Sequence, residues 1–223
     1  VKRVNDPRNR RLMIRSYREL GGHKLTGNLR NDVASFLLKH QCPQTAEHVL
    51  KVGEEARRIA VLYGADPTAA EYAGYLHDIS AVFPTHVRIQ VSREIGLDVL
   101  PEEEQFPMII HQKISAYMAE NMFKITEQEI LNAVGCHTTL RAKASLLDKV
   151  LFVADKIEWD QQGTPPYLKE ITEQLQISLD HASFEYIQYL WKRRESLKVV
   201  HPWLRDAYDE LRDSQNYNHS NLK

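Results

Sequence analysis

The sequence has little of what builds sheets or covalent frameworks. Of 223 residues only two are cysteine, Cys42 and Cys136. Two thiols make no disulfide scaffold and suit a reducing compartment. No apolar run approaches the ~20 residues that span a bilayer, and the first residues lack the apolar core of a secretion signal. The expectation is a cytoplasmic protein with no membrane partner. An excess of one charge is missing too: 29 Lys and Arg face 30 Asp and Glu, a formal net charge of −1. That excludes the basic footprint of a duplex-binding protein, so no nucleic acid is expected as partner. Strand signals are scarce, with little period-2 alternation and no Asn-Gly or Asp-Gly hairpin.

What remains is helix. A hydrophobic content of 43% and a charged content of 26% are those of an ordinary globular chain. Val49, Val52, Ala56, Ile59, Ala60 and Tyr63 recur at three- and four-residue steps, the signature of an amphipathic helix. Gly64 closes that helix, and Asp66-Pro67 supplies an N-cap and an N1 proline for the next. In "ITEQEILNAVGCHTT" the spacing predicts a capping box of Thr126 and Glu129 with an Ile125/Ile130 staple. Ser145 is placed to cap "SLLDKVLFVADKIE". Two late helices are expected, over 168–196 with a break and over 202–213. The fold class is all-α, one helical domain of eight to ten helices. Residues 1–28 form a basic N-terminal extension, 29–213 the domain and 214–223 a polar, disordered tail.

Ten histidines are many for this length. His48, His77, His111 and His137 lie on expected helices or at their ends, mostly with apolar neighbours, and Asp78 follows His77 directly. Asp155 sits in the apolar stretch "LFVADKI". A carboxylate on an apolar helix face is costly unless something pairs with it. Any one buried histidine is more often a hydrogen-bonded core residue than a ligand, and Asp155 alone would more often be a surface acid. Taken together, imidazole and carboxylate donors suit divalent iron, manganese or zinc. Four histidines and two aspartates suffice for two ions, with Asp78 as the natural bridge.

In order, His48, His77-Asp78, His111, His137 and Asp155 resemble the HD-domain superfamily of metal-dependent phosphohydrolases. The text is most similar to its YqeK-like branch, the bacterial symmetrical diadenosine tetraphosphate hydrolases. The resembling segments are "EHVLKVGEEARRIAVLYGADPTAAEYAGYLHDIS", "HQKISAYMAE", "ITEQEILNAVGCHTT", "SLLDKVLFVADKIE" and "VVHPWLRDAYDEL". The resemblance implies an HD fold around two divalent ions, iron first, with manganese or another ion as alternative. His48, His77, Asp78 and Asp155 would hold one ion; Asp78, His111 and His137 would hold the second. Asp78 and His111 are the catalytic candidates. The implied reaction is hydrolysis of diadenosine tetraphosphate to two ADP by a metal-bound hydroxide, because an ion acidifies water and offsets phosphoryl charge. Arg141, Thr138, Lys149 and His201 are the candidate substrate contacts. A homodimer is left open.

The sequence also departs from the branch. Ala81 stands where a lysine is usual, Thr45 and Gln161 where arginines are usual, and Gln112 and Leu140 where glycines are usual. Each absent cation removes a charge-assisted phosphate contact of roughly 1.5–3 kcal/mol. Trp159 offers a stacking face instead. Two alternatives therefore accompany the tetraphosphatase reading: a nucleotidase or phosphodiesterase on a smaller nucleotide, and a nucleotide-binding regulatory module with little turnover.

Overall fold

A computed structural model describes residues 16–159 and 163–220, with side chains through residue 215. These residues form eleven α-helices and no strand. In chain order they are α1 (Leu29–Lys39), α2 (Pro43–Tyr63), α3 (Pro67–Leu76), α4 (Arg88–Glu94), α5 (Pro101–Gln105) and α6 (His111–Asn121). There follow α7 (Gln128–Cys136), α8 (Leu146–Ile157), α9 (Leu168–Leu175), α10 (Leu179–Trp191) and α11 (Pro202–Ser220). The count exceeds the expected eight to ten. The five-residue α5 is too short to show a period, and a break at residues 176–178 divides the 168–196 segment into α9 and α10.

Local signals fix most helix ends. Gly64 ends α2 at φ 75°, and Asp66 caps α3 by accepting from the Thr68 and Ala69 N–H groups. Ser145 caps α8 and forms a capping box with Asp148. The box expected at Thr126 is absent. Glu127 occupies the N-cap position of α7, and its carboxylate accepts the Thr126 N–H. An acid next to that N–H takes the bond that Glu129 was expected to make. Ile125 and Ile130 are nevertheless both buried. At the C-terminus α11 continues to Ser220, past the residue-213 boundary drawn from sequence; residues 221–223 lie outside the described set.

The helices pack around α8, which touches α2, α3, α7, α9 and α10. Val150, Leu151, Phe152, Val153 and Ala154 are all buried, so α8 is covered on nearly every side. The tightest crossing is α2 on α3. A Cβ built on Gly74 would stand 2.5 Å from Gly53 Cα, and one on Gly53 would stand 2.4 Å from the Tyr75 ring. Only glycines permit backbones this close. The crossing sets the distance between His48, just before Gly53, and His77, just after Gly74. Of the N-terminal extension, residues 16–28 dock on the domain. Ser16 donates to Glu94, Tyr17 stacks edge-on to Tyr117 at 5.3 Å, and Leu20 is buried. The rest of that extension, residues 1–15, lies outside the described residues. Among the described residues no helix is long and apolar enough to cross a membrane.

Candidate metal centre

Five helices deliver one cluster. His48 comes from the first half of α2 and Asp155 from the last turn of α8. His77 and His137 are the C-caps of α3 and α7, Asp78 follows at once, and His111 opens α6. His77 Nδ1 donates to the Gly74 carbonyl at 2.7 Å, His111 Nδ1 to Met108 at 2.6 Å, and His137 Nδ1 to Val134 at 2.8 Å. A carbonyl only accepts, so each of these Nδ1 atoms carries its proton. In each neutral imidazole the Nε2 lone pair then points inward.

The inward atoms meet at close range. His48 and His77 Nε2 are 3.2 Å apart, and each lies within 3.4 Å of Asp155 Oδ1. His111 and His137 Nε2 are 2.9 Å apart, at 3.1 and 3.7 Å from Asp78 Oδ1. His77 Nε2 is 3.8 Å from Asp78 Oδ2. Two donor sets result: His48, His77 and Asp155, and His77, Asp78 and His137, each with its ligand atoms within 4.8 Å of one another. His111 adjoins the second through Asp78.

Acceptors this close need positive charge between them, supplied by a proton or by a cation. Burial alone would push His77 down, but the Asp78 and Asp155 carboxylates outweigh it and lift the imidazole to about 9. His137 is held well below its ordinary value by burial and by the His111 and His77 rings beside it. Asp78 and Asp155 stay far below the usual carboxylate range: burial opposes this, but His77 and His111 hold Asp78 ionised, and Lys156, His48 and His77 hold Asp155. The donor set fits divalent ions in kind, and an ion bound there would displace the second proton of His77.

A cavity of about 220 Å³ opens onto the cluster. Beyond the ligand side chains its wall includes Thr138, Lys156, Glu158, Trp159, Tyr167 and Tyr186. Thr138 Oγ1 donates to His111 Nε2 at 3.3 Å. The other three expected substrate contacts turn onto carboxylates elsewhere. Arg141 makes two bonds to buried Asp148, at 3.0 and 2.8 Å, and lines a separate cavity of about 340 Å³. Lys149 pairs with Asp180 at 2.6 Å. His201 is buried against Glu103 at 3.4 Å, which also holds Lys113. The structure does not bring these three to the cavity; a neighbouring acid holds each one.

Lys156 also stands at the cluster. Its ammonium lies 2.5 Å from Asp155 Oδ2, 3.3 Å from the His137 carbonyl, and 5.2 and 5.3 Å from the Phe152 and Tyr186 ring centroids. The signal was the Asp155-Lys156 adjacency, read only for its aspartate. Of the three thinned positions, Ala81 and Thr45 are half-buried, and Gln161 falls outside the described residues.

The HD-domain profile matches residues 45–160, just over half of the chain, and spans the donors from His48 to Asp155. The chain belongs to the HD-domain family. It is accordingly an enzyme of an all-α hydrolase fold. An uncharacterised protein of Lactococcus lactis subsp. cremoris is 42% identical over 62% of this chain and 70% of its own. The Staphylococcus aureus symmetrical bis(5'-nucleosyl)-tetraphosphatase is 33% identical over 56% of this chain and 64% of its own. The enzyme of that name from Halalkalibacterium halodurans is 29% identical over 82% and 96%. An HD-superfamily hydrolase of Clostridium acetobutylicum, described as involved in NAD metabolism, superposes with a TM-score of 0.76. It covers 82% of this chain and 97% of its own at 23% identity, a likeness of fold.

Proposed function

We propose that this HD-domain protein hydrolyses a phosphoanhydride bond of a nucleotide, and that its substrate is diadenosine tetraphosphate, cut symmetrically to two ADP. The observation that carries the reading is the convergence of four imidazoles and two carboxylates on one cluster, of which His48, Asp78, His111, His137 and Asp155 line one cavity and His77 lies buried behind it. The names of the Staphylococcus and Halalkalibacterium relatives support the substrate. His48, His77, Asp78 and Asp155 would hold one ion, and Asp78, His111 and His137 the other. Iron or manganese matches these borderline donors. When bound, the ions supply Lewis acidity toward phosphoryl oxygens and water acidic enough to react near neutral pH.

The chain's own residues do the rest. The three Nδ1–H bonds to backbone carbonyls orient each ring so that Nε2 faces the cluster. Lys156 keeps Asp155 Oδ2 occupied, so that Oδ1 faces His48 and His77, and presents a cation to a phosphate at the cavity wall. Thr138 offers a hydroxyl beside His111. Trp159 and Tyr167, edge-on to each other at 6.0 Å, give a nucleobase an apolar face. Symmetric scission needs only that the β-phosphoryl group reach the ions while the second nucleotide leaves through the open mouth.

One observation favours a smaller nucleotide as a second reading. Among the described residues Lys156 is the one Lys or Arg that lines the cavity. The volume also falls below the roughly 300–1,000 Å³ of pockets that engulf a ligand whole. A nucleotide panel with manganese- or iron-loaded protein decides: ADP from diadenosine tetraphosphate as the fastest reaction supports the first reading, and faster release of phosphate from a mononucleotide supports the second. Binding without turnover would leave a regulatory nucleotide-binding module. Lys156→Met should lower kcat/KM about 10- to 100-fold, the value of one charge-assisted phosphate contact.

A further inference from the structure

Two departures noted in the sequence, Gln112 and Leu140, meet at the second half of the cluster. Gln112 follows His111 and is fully buried. Its Oε1 accepts the Thr138 N–H at 3.0 Å, and its Nε2 donates to Thr139 Oγ1 at 3.2 Å. The Thr139 hydroxyl donates in turn to the Leu140 carbonyl at 2.9 Å. Leu140 stands at φ 56°, a left-handed backbone that residues other than glycine seldom adopt. Its N–H closes the turn on the Cys136 carbonyl at 2.7 Å, with His137 inside the loop so formed.

One side chain thus ties the residue after His111 to the residue after His137. We infer that Gln112 is a positioning residue that sets the distance between the His111 and His137 imidazoles, and so the affinity of the second ion. The inference rests on the two-ion reading above. The geometry leaves Gln112 little other work: it is sealed from the cavity and makes no bond outside the turn it spans. Its amide matches that turn donor for acceptor, which no apolar residue would do. The Thr138 hydroxyl is aimed by the same bond, because its own N–H is the group that Gln112 holds.

The test is manganese binding to the full-length chain after removal of metal, followed by titration calorimetry and by elemental analysis of desalted protein. Wild type should take up about two equivalents, the count of a paired-ion site. Gln112→Met should weaken one equivalent about tenfold or more and leave the other within about twofold, one broken strap being worth about 1.4 kcal/mol. Thr139→Val, a near-isosteric change, should weaken the same equivalent by a smaller factor and stands in if the Met variant fails to fold. Ser92→Ala, which removes an equally buried hydroxyl bonded to Arg88 away from the cluster, should keep both equivalents. Two unchanged equivalents in Gln112→Met and Thr139→Val overturn this inference alone. A wild-type chain that takes up no manganese overturns the metal reading as well.

Discussion

At the scale of single residues the centre depends most on Asp78. It lies within 3.8 Å of three Nε2 atoms from three helices. On the two-ion proposal, Asp78→Ala should therefore lower metal content from about two equivalents to less than one and remove turnover, since Asp78 would bridge both ions. Elemental analysis measures this, and retention of both equivalents would contradict it. His77 governs the pH response. Two carboxylates raise its folded-state value to about 9, above the ~6.5 of an unfolded histidine. In the metal-free chain its proton contributes stability fully below about 6.5, and that contribution fades as pH rises through about 9. Metal must displace the same proton. Apparent affinity should thus rise by up to tenfold per pH unit toward 9 and level off above it; titrations at pH 6.5, 7.5 and 8.5 that agree would refute this. The six ligand candidates were legible because each is an ionisable group framed by apolar neighbours. Lys156 and Gln112 were not: a lysine beside an acid reads as a surface pair, and a glutamine's value lies wholly in partners far along the chain. Spacing says nothing of Asp148, Asp180 and Glu103, the acids that hold Arg141, Lys149 and His201.

At the scale of elements the decisive feature is the Gly53–Gly74 crossing. Amphipathic period and caps placed α2 and α3 correctly, but neither tells how closely they approach. Glycines inside helices read as weaknesses; here each is the place where the other backbone arrives. Gly74→Ala should cost about 1–3 kcal/mol through overpacking. Because it pushes apart the helices that carry His48 and His77, it should also weaken the first ion. Gly135 in α7 provides the contrast. A Cβ there would meet only Ala116 Cβ, at an ordinary 3.6 Å. Gly135→Ala should stabilise by up to about 1 kcal/mol, as expected for alanine in a helix, without loss of metal. Thermal melts with metal titration separate the two; equal behaviour of both variants would show that the crossing does not set the site. The missed box at Thr126 teaches the same limit at smaller scale. Two acids lie within reach of one N–H, and only geometry chooses Glu127.

At the scale of the whole molecule the donors span residues 48 to 155 and tie α2, α3, α6, α7 and α8 into one knot. An apolar core holds these helices from outside, through Phe36, Phe83, Ile110, Leu140 and Phe152. At the centre sit two carboxylates and four imidazoles whose lone pairs oppose one another unless positive charge intervenes. An unfolded chain scatters these groups over more than a hundred residues, so an ion binds the folded state almost alone. Ligand linkage then gives about 2.7 kcal/mol of added stability per site at a free ion concentration 100 times its dissociation constant. For a chain of this size each kcal/mol is worth roughly 2–4 °C. Manganese at that concentration should raise the melting temperature by about 5–10 °C for each occupied site, and a chelator should reverse the shift. Asp78→Ala should abolish most of the shift, whereas Gln112→Met should reduce it by less, since on the two-ion proposal the strap serves one site and Asp78 serves two. A metal-dependent shift of equal size in both variants would mean that the ions stabilise the fold somewhere other than this cluster.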